Sequence, residues 1–442
     1  MRILATRIEL ERHCGWSRAR LEAHQLRSSE RLRRFAYRRS RFYRKFHAGM
    51  ERRPFAELPI LTKARMMENF DDLVTDRRIR LAEIEEFLHL AGAPLFRNRY
   101  LVLATSGSTG LRGIFVFDEG EWIRALASIT RPMGWAGVAQ NPLRPHRMAM
   151  VASTVPWHYS ARVSQSLSTP LIPALRLDAT EPLETIVRRL NDWQPQILAA
   201  YPSLLRQLAD EQLAGRLQIA LRNVATSAEV LSDETRRRVS LAWGVHVYDT
   251  YGATEYAPIA AECAYHRRHL VEDAALIEIV DDRGRPVAPG ESGERVLLTV
   301  FDRFTQPLIR YEISDMVRPL EGACECGRPF RIIEGIDGRV EDVLYFPARD
   351  GSPDRVGVHP NVFHEVFETV PASGWQVLQD GETLRVALAG LSPEVSCERL
   401  ETTLRQRLEG QAIVVPQLSV ERVPALQRGP TGKAPLVSKI QR

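Results

Sequence analysis

The chain has 442 residues, of which 44% are hydrophobic and 26% charged. This is the composition of a folded globular protein too long for one ordinary core, so two or more domains are expected. No apolar run approaches the roughly 20 residues of a membrane span, and the charged N-terminus lacks the apolar stretch of a secretory signal. A cytoplasmic protein with no membrane partner is therefore expected.

The net charge of +5 is carried almost wholly by arginine, since only Lys45, Lys63, Lys433 and Lys439 among the 60 basic residues are lysine. A lineage that writes its surface cations as arginine keeps lysine where the ammonium itself is needed, and two of the four lie in the last ten residues. The arginines of residues 12–53 could form a nucleic-acid patch. Phe35, Tyr37, Phe42, Tyr43 and Phe46 interleave with them at helical spacing and can supply a buried face, so the arginines read as the solvated face of amphipathic helices and no nucleic-acid partner is expected.

In chain order, residues 18–48 read as one or two amphipathic helices, and Thr62 as the N-cap of another. Tyr100–Leu103 and Ile114–Phe117 read as buried strands. Between them lies Thr105-Ser106-Gly107-Ser108-Thr109-Gly110. Glycines let backbone approach a ligand closely, and hydroxyls with freed N–H groups offer an anion many donors. By itself this stretch is either a phosphate-binding loop or a polar hairpin turn. It is not a Walker loop, because a strand follows it rather than a helix.

Residues 121–240 alternate strands with helices. Strands are expected at 148–152, 197–201 and 221–226, and helices at 186–193, from Pro202, and from an N-cap at Ser232. This alternation predicts an α/β fold with a doubly wound, mainly parallel sheet, whose ligands bind beyond the carboxyl ends of the strands. Ser227-Ala228-Glu229 and Tyr251-Gly252-Ala253-Thr254-Glu255 each follow a predicted strand. From Leu276 the pattern becomes strands and turns, with a hairpin turn at Asp281–Gly284, which predicts a small antiparallel β subdomain at about 263–335. Residues 343–442 read as a small α+β domain. In it a helix is expected over 393–409, with Ser392 as N-cap and Gly410 at C′. Gly429–Pro435 reads as an exposed, shaped loop around Lys433.

Taken together, Thr105–Gly110, Tyr251–Glu255, Arg310–Asp315, Gly338–Arg339 and Gly432–Lys433 resemble, in order, the motifs of the adenylate-forming ligases. This is the superfamily of acyl-CoA synthetases and adenylation domains, and the nearest branch is that of phenylacetate–CoA ligase. The resemblance runs from about residue 35 to 440. It implies a large ATP- and carboxylate-binding domain (residues 1–338), a hinge at 339–342 that includes Glu341, and a mobile C-terminal lid (343–442). Thr105, Ser106, Gly107, Ser108, Thr109 and Gly110 would cradle phosphates. Ser227, Ala228, Glu229, Gly252 and Ala253 would line the nucleotide, and Tyr251 would lie against adenine. Thr254 would reach the α-phosphate and Glu255 would hold Mg²⁺, a hard cation that suits carboxylate and phosphate oxygen together. Asp315 would accept from both ribose hydroxyls, Arg339 would bond the nucleotide, and Lys433 would be the catalytic cation. Trp157, His158 and Tyr159 stand where family members keep aromatic pocket residues, although core aromatics would read the same way. Two departures matter, at residues 111–113 and 344–365, and a third, at Glu341, is mild. Leu111-Arg112-Gly113 replaces the Pro-Lys common after the phosphate loop. Glu341 stands where many relatives carry Asp or Lys. Residues 344–365 are longer and less glycine-rich than the usual post-hinge loop.

The five cysteines are Cys14, Cys263, Cys324, Cys326 and Cys397. An odd count in a chain of this kind does not suggest a disulfide framework. Cys263, Cys324 and Cys326 with His269, or with His266 as the substitute, make a Cys₃His set suited to structural Zn²⁺.

The expected function is ATP-dependent activation of an organic acid, with an aryl acid hinted at by the aromatics. The acid becomes an acyl-AMP and passes to a thiol, with CoA first in line and a carrier protein or an amine as alternative acceptors. A non-catalytic protein on a decayed ligase fold is the rival of a different class. Retention of Glu255, Asp315 and Lys433 argues against it. The oligomeric state is left open between monomer and homodimer.

Overall fold

The computed structural model describes residues 2–89, 95–105, 111–137, 146–167, 173–339, 342–353, 355–367, 370–429 and 432–439. Two compact units emerge. The first comprises Met1–Ala139, Val155–Ser168 and Tyr248–Ile336, and the second Gln140–Thr154, Thr169–Val247 and Asp337–Arg442.

The first unit begins with the arginine-rich helices Arg2–His13, Arg18–Arg39 and Arg41–Phe46. Ser40 ends one helix and caps the next by accepting from the Tyr43 amide. Leu21, Leu32, Ala36, Phe42 and Tyr43 turn inward, while the arginines stay outside. Thr62 caps Lys63–Glu68 as expected. The strands Leu101–Ala104 and Ile114–Phe117 pair antiparallel and are buried throughout. Ala275–Val280, Arg295–Val300 and Tyr311–Ile313 form an antiparallel sheet. Ala260–Glu262 pairs antiparallel with Val247–Tyr251 on one side and with Arg268–Leu270 on the other, and Ile332–Arg339 continues beyond.

A buried ionic hub ties this unit together. Arg131 grips Asp273 with two bonds of 2.7 and 2.8 Å and donates to the Leu10 carbonyl at 3.0 Å. Both side chains are fully buried. His13 meets the same carboxylate at 2.9 Å. The neighbouring Glu272 takes Arg18 at 2.7 Å and Arg331 at 2.8 Å. Burial alone would push the Asp273 carboxyl up, but the Arg131 charge outweighs it and holds the group well below the usual carboxylate range. The first two helices and the Arg131–Trp135 helix are thereby fixed to the start of the Ala275–Val280 strand.

In the second unit, the parallel strands Asn223–Ser227, Ile197–Ala200, Met148–Ala152 and Ala174–Asp178 lie in that spatial order. They alternate in sequence with the helices Leu183–Trp193, Pro202–Leu213 and Asp233–Trp243. The unit also contains a four-stranded sheet in the order Gln417–Val423, Thr383–Ala389, Gly374–Asp380, Val437–Lys439. The expected helix at 393–409 begins only at Cys397, capped by Ser396 rather than Ser392. The cause is Arg422, whose guanidinium draws the carbonyls of Leu391, Ser392, Pro393 and Val395 out of any helical ladder. Gly410 keeps a right-handed φ of −74°, so it is not the left-handed C′ residue expected, and Ala412 takes the positive φ instead.

Removing one partner of a buried pair strands the other charge, which typically costs about 3–5 kcal/mol. Asp273→Asn is expected to lower unfolding stability by that amount, read as a fall in the urea midpoint. A surface pair such as Arg53–Glu57 should contribute less than about 1 kcal/mol in the same assay.

Candidate active site

Two five-residue segments, each opening on tyrosine and closing on a carboxylate, cross-bond in the first unit. Tyr251 ends a strand and Asp315 begins one; the Tyr251 hydroxyl donates to Asp315 Oδ2 at 2.7 Å. The Tyr311 hydroxyl donates to Glu255 Oε1 at 3.0 Å. All four side chains are buried. The Tyr251–Glu255 turn closes through Ala253 N to Tyr256 O, 3.0 Å, and Ile259 N to Tyr251 O, 2.8 Å. Gly252 is required there, because a Cβ would stand 2.7 Å from that of Ala257. Tyr311 is fixed between Leu298 and a bridge to Leu61. Before it, Arg310 holds φ at +48° while bound to Glu278 at 3.1 Å. A non-glycine residue there is strained and persists only where its surroundings fix it.

Behind Glu255 stands Arg303, which the sequence reading missed. It donates to the Glu255 carbonyl at 3.4 Å, the Val116 carbonyl at 3.2 Å and Gln306 Oε1 at 3.3 Å. Its guanidinium lies 3.7 Å from the Phe117 ring centroid. Burial lowers it to about 10, with Glu121 opposing. Gln306 accepts from Val116 N at 2.8 Å and donates to Ile114 O at 2.9 Å. Glu121 Oε1 accepts from the amides of Phe304 and Thr305 at 2.7 and 2.6 Å. Residues 303–306 are thus stitched to the strand that follows the glycine–hydroxyl loop. An Arg and a Gln set among the apolar residues of 300–311 were the signal available in sequence.

Of that loop, Ser106, Gly107, Ser108, Thr109 and Gly110 lie outside the described residues. Its neck is visible: Thr105 N donates to Gly113 O at 2.9 Å, and Gly113 N to Thr105 Oγ1 at 2.8 Å. Arg112, in the place of the usual lysine, stacks its guanidinium 5.2 Å from the Trp157 ring centroid. The Trp157 carbonyl accepts from Ala104 N at 3.0 Å, while His158 occupies the N-cap position of the Tyr159–Ser166 helix without a side-chain cap bond. Tyr159 donates to the Ala257 carbonyl at 3.2 Å. It shares the lining of a cavity with Phe117, Glu121, Glu255, Tyr256 and Arg303. Thr254 is half-buried at the turn.

In the second unit, the carboxyl edge of the parallel strands gathers Ser227, Ala228, Glu229 and the Lys433 loop. Ala228 holds φ at +74°. The half-buried Glu229 carboxylate accepts from Ser203 N at 3.0 Å and from Ala434 N at 2.9 Å. Burial raises it above the usual carboxylate value, against those two donors and Lys433. Lys433 Nζ is 5.9 Å from the Tyr201 ring centroid. Lys439 instead lies in an edge strand, 5.1 Å from the Tyr345 ring. Arg339 is exposed, and its amide donates to Asp342 Oδ2 at 3.3 Å; Glu341 lies outside the described residues.

A second cluster in the first unit joins Cys263, His269, Cys324 and Cys326, whose ligand atoms all lie within 4.8 Å of one another. Cys263 Sγ and Cys324 Sγ are 3.7 Å apart, and Cys326 Sγ is 3.2 Å from His269 Nε2. All five cysteines are free thiols. His269 Nδ1 faces the Phe330 carbonyl at 3.2 Å. A proton held there leaves Nε2 with its lone pair toward the sulfurs. His266 is exposed, outside this group of four, with its ring 5.6 Å from that of Tyr248. Burial pushes the Cys324 thiol up to about 11.

Residues 95–298 match the AMP-binding enzyme family. The chain is 34% identical over 253 residues to a phenylacetate-coenzyme A ligase of Pseudomonas putida, covering 54% of this chain and 55% of that one. A phenylacetate-coenzyme A ligase of Thermus thermophilus is 29% identical over 196 residues, 42% of each chain. The chain thus spans about half the length of the curated relatives it matches. In fold it is similar to 2-hydroxyisobutyryl-CoA ligase in the postadenylation state with 2-HIB-AMP, with a TM-score of 0.74 and 18% identity over 98% of this chain and 92% of that one. Over about half of its length the chain thus resembles the adenylate-forming enzymes, and the phenylacetate–CoA ligases among them.

Proposed function

We propose that this protein is an AMP-forming acid–thiol ligase that activates an organic acid, with aryl acids the first class to test, and passes it to CoA. The observation that carries this reading is the crossed tyrosine–carboxylate pair, which holds Glu255 and Asp315 in one buried arrangement. A carboxylate is a poor electrophile, and joining it to AMP turns its oxygen into a good leaving group. In the first step a carboxylate oxygen attacks the α-phosphorus of ATP and pyrophosphate leaves. In the second a thiolate attacks the acyl carbon and AMP leaves. Bound Mg²⁺ would neutralise phosphate charge, and Glu255 is its proposed ligand. Asp315 accepts from the ribose diol, Tyr251 lies against adenine, and Thr254 donates to the α-phosphate. Thr105 to Gly110, Ser227, Ala228, Gly252, Ala253 and Arg339 complete the nucleotide site. Tyr159, with Trp157 and His158 beside it, lines the acyl pocket. Residues 1–338 act as the adenylating domain, 339–342 as the hinge and 343–442 as the lid.

Lys433 supplies the cation at the attacked phosphorus. An ammonium on a flexible stem can follow a phosphate whose charge is changing. Losing such a donor costs on the order of 10²–10³ in rate. Lys433→Ala is therefore expected to cripple phenylacetate-dependent pyrophosphate exchange yet leave thioester formation from supplied phenylacetyl-AMP intact, because the lysine withdraws for the second step. Equal loss of both half-reactions would remove Lys433 from the first.

The Cys263–His269–Cys324–Cys326 cluster fits a structural zinc. A tetrahedral ion with Zn–S near 2.3 Å sets its sulfurs about 3.8 Å apart, close to the 3.7 Å between Cys263 and Cys324. Protein purified without added metal should contain about one zinc per chain by elemental analysis, falling to none in a Cys324→Ser/Cys326→Ser variant. Well-folded protein free of metal would rule the site out.

A further inference from the structure

The loop that carries Lys433 is a built object, not a loose tail. Gln376 is buried and clamps both of its ends. Its side-chain amide donates to the carbonyls of Gln427 and Pro435 at 2.7 and 3.0 Å, and its oxygen accepts from Gln427 N at 2.7 Å. Within the loop, Gly429 N reaches the Lys433 carbonyl and Gly432 N the Gly429 carbonyl, both at 2.9 Å. Arg428 donates to the Gly432 carbonyl at 2.7 Å. The backbone around the lysine is therefore shaped by its own segment.

That shaped loop is also seated. Gly432 lies so close to the end of the Ala174–Asp178 strand that a Cβ would stand 2.6 Å from Ala179 Cβ and 2.9 Å from its carbonyl carbon. Gly432 also holds φ at +77°, so glycine is required twice over. The Pro202–Leu213 helix reaches the loop through Gln207, and through Arg206 and Asp210 it holds Ala372 and Ser373, which lead into the Gly374–Asp380 strand. Arg206 donates to the Ala372 carbonyl. Gln207 accepts from Arg428 at 3.0 Å, and Asp210 accepts from Ser373 at 2.7 Å. Glu229 joins helix to loop: one carboxylate oxygen takes the Ser203 amide in the first turn of the helix, the other the amide of Ala434, next to the lysine. Tyr201, at the N-cap position, makes no side-chain cap, so Glu229 satisfies that helix end instead.

We propose that Glu229 is a positioning residue: a two-oxygen latch between the Pro202–Leu213 helix and the Lys433 loop, holding the lysine for adenylation and releasing it for thioester formation. The inference rests on the ligase reading above and deepens it. It moves Glu229 from the nucleotide to the lysine loop, since both of its oxygens already accept backbone amides. It also explains why a carboxylate is needed. Each oxygen faces an N–H, so a carboxamide of the same shape must turn a donor toward one of them.

The test uses the full chain and two independent readouts. In Glu229→Gln, amide hydrogen exchange in unliganded protein should speed up about tenfold or more across residues 432–439 and stay unchanged in the Thr383–Ala389 strand. Gln207→Ala, which loosens Arg428, should move the same peptide in the same direction. With phenylacetate as the probe acid, Glu229→Gln should slow pyrophosphate exchange by about tenfold or more and leave thioester formation from phenylacetyl-AMP and CoA at the parent rate. Unchanged exchange in 432–439, faster exchange everywhere, or equal loss of both half-reactions would overturn the latch. If phenylacetate supports no turnover in the parent enzyme, the substrate reading fails, and the hydrogen-exchange result alone decides for or against the latch.

Discussion

Two buried carboxylates, Glu255 and Asp315, each accept a hydrogen bond from the tyrosine that opens the other's segment. This crossed arrangement is the constraint on which the rest of the first unit depends. A buried carboxylate is costly unless hydrogen-bonded. Here each is kept by an uncharged hydroxyl, which satisfies part of its need without neutralising it. The negative charge is therefore preserved for the proposed cation and ribose, while the geometry is fixed by rigid rings on strand ends. A salt bridge in the same place would have spent that charge on the protein itself.

Support for the crossing comes from buried groups around it. Arg303 and Gln306 stitch the segment before Tyr311 to the Ile114–Phe117 strand, and Glu121 holds the amides between them. Asp273 with Arg131, and Glu272 with Arg18 and Arg331, tie the arginine-rich N-terminal helices to the base of the Ala275–Val280 strand. The arginine abundance noticed in sequence is thus partly structural. Some of the guanidiniums are buried partners of acids far along the chain, where five rigid donors on one plane serve better than an ammonium.

Much of the fold was legible because local patterns carried it. Alternating apolar runs marked the parallel strands, and Ser232 and Thr62 marked helix starts that the structure bears out. The failures are equally physical. A helix expected from Pro393 starts late because Arg422, nearly thirty residues downstream in sequence, claims the carbonyls its first turn would use. No periodicity can report such a competitor. The motif residues Tyr251, Glu255 and Asp315 were legible as a set, but the partner of Glu255 was not. Tyr311 sat inside a segment already quoted for its aspartate, and only the strand pairing with Leu298 and Leu61 turns its ring toward Glu255. Arg303 and Glu229 show the same limit: a residue's type was visible, but what it bonds depends on which strands become neighbours. The cysteine–histidine set was the reverse case, since ligand chemistry alone named the four residues that the fold brings together, and burial separates His269 from the exposed His266.

The central claim is that the carboxylate oxygen of an organic acid attacks the α-phosphorus of ATP. It is tested most directly by following that oxygen. Phenylacetate labelled with ¹⁸O in its carboxylate should, on incubation with the protein, ATP, Mg²⁺ and CoA, yield AMP carrying one ¹⁸O, with unlabelled pyrophosphate. Label appearing in inorganic phosphate alongside ADP, or unlabelled AMP accompanied by thioester, would contradict an acyl-adenylate.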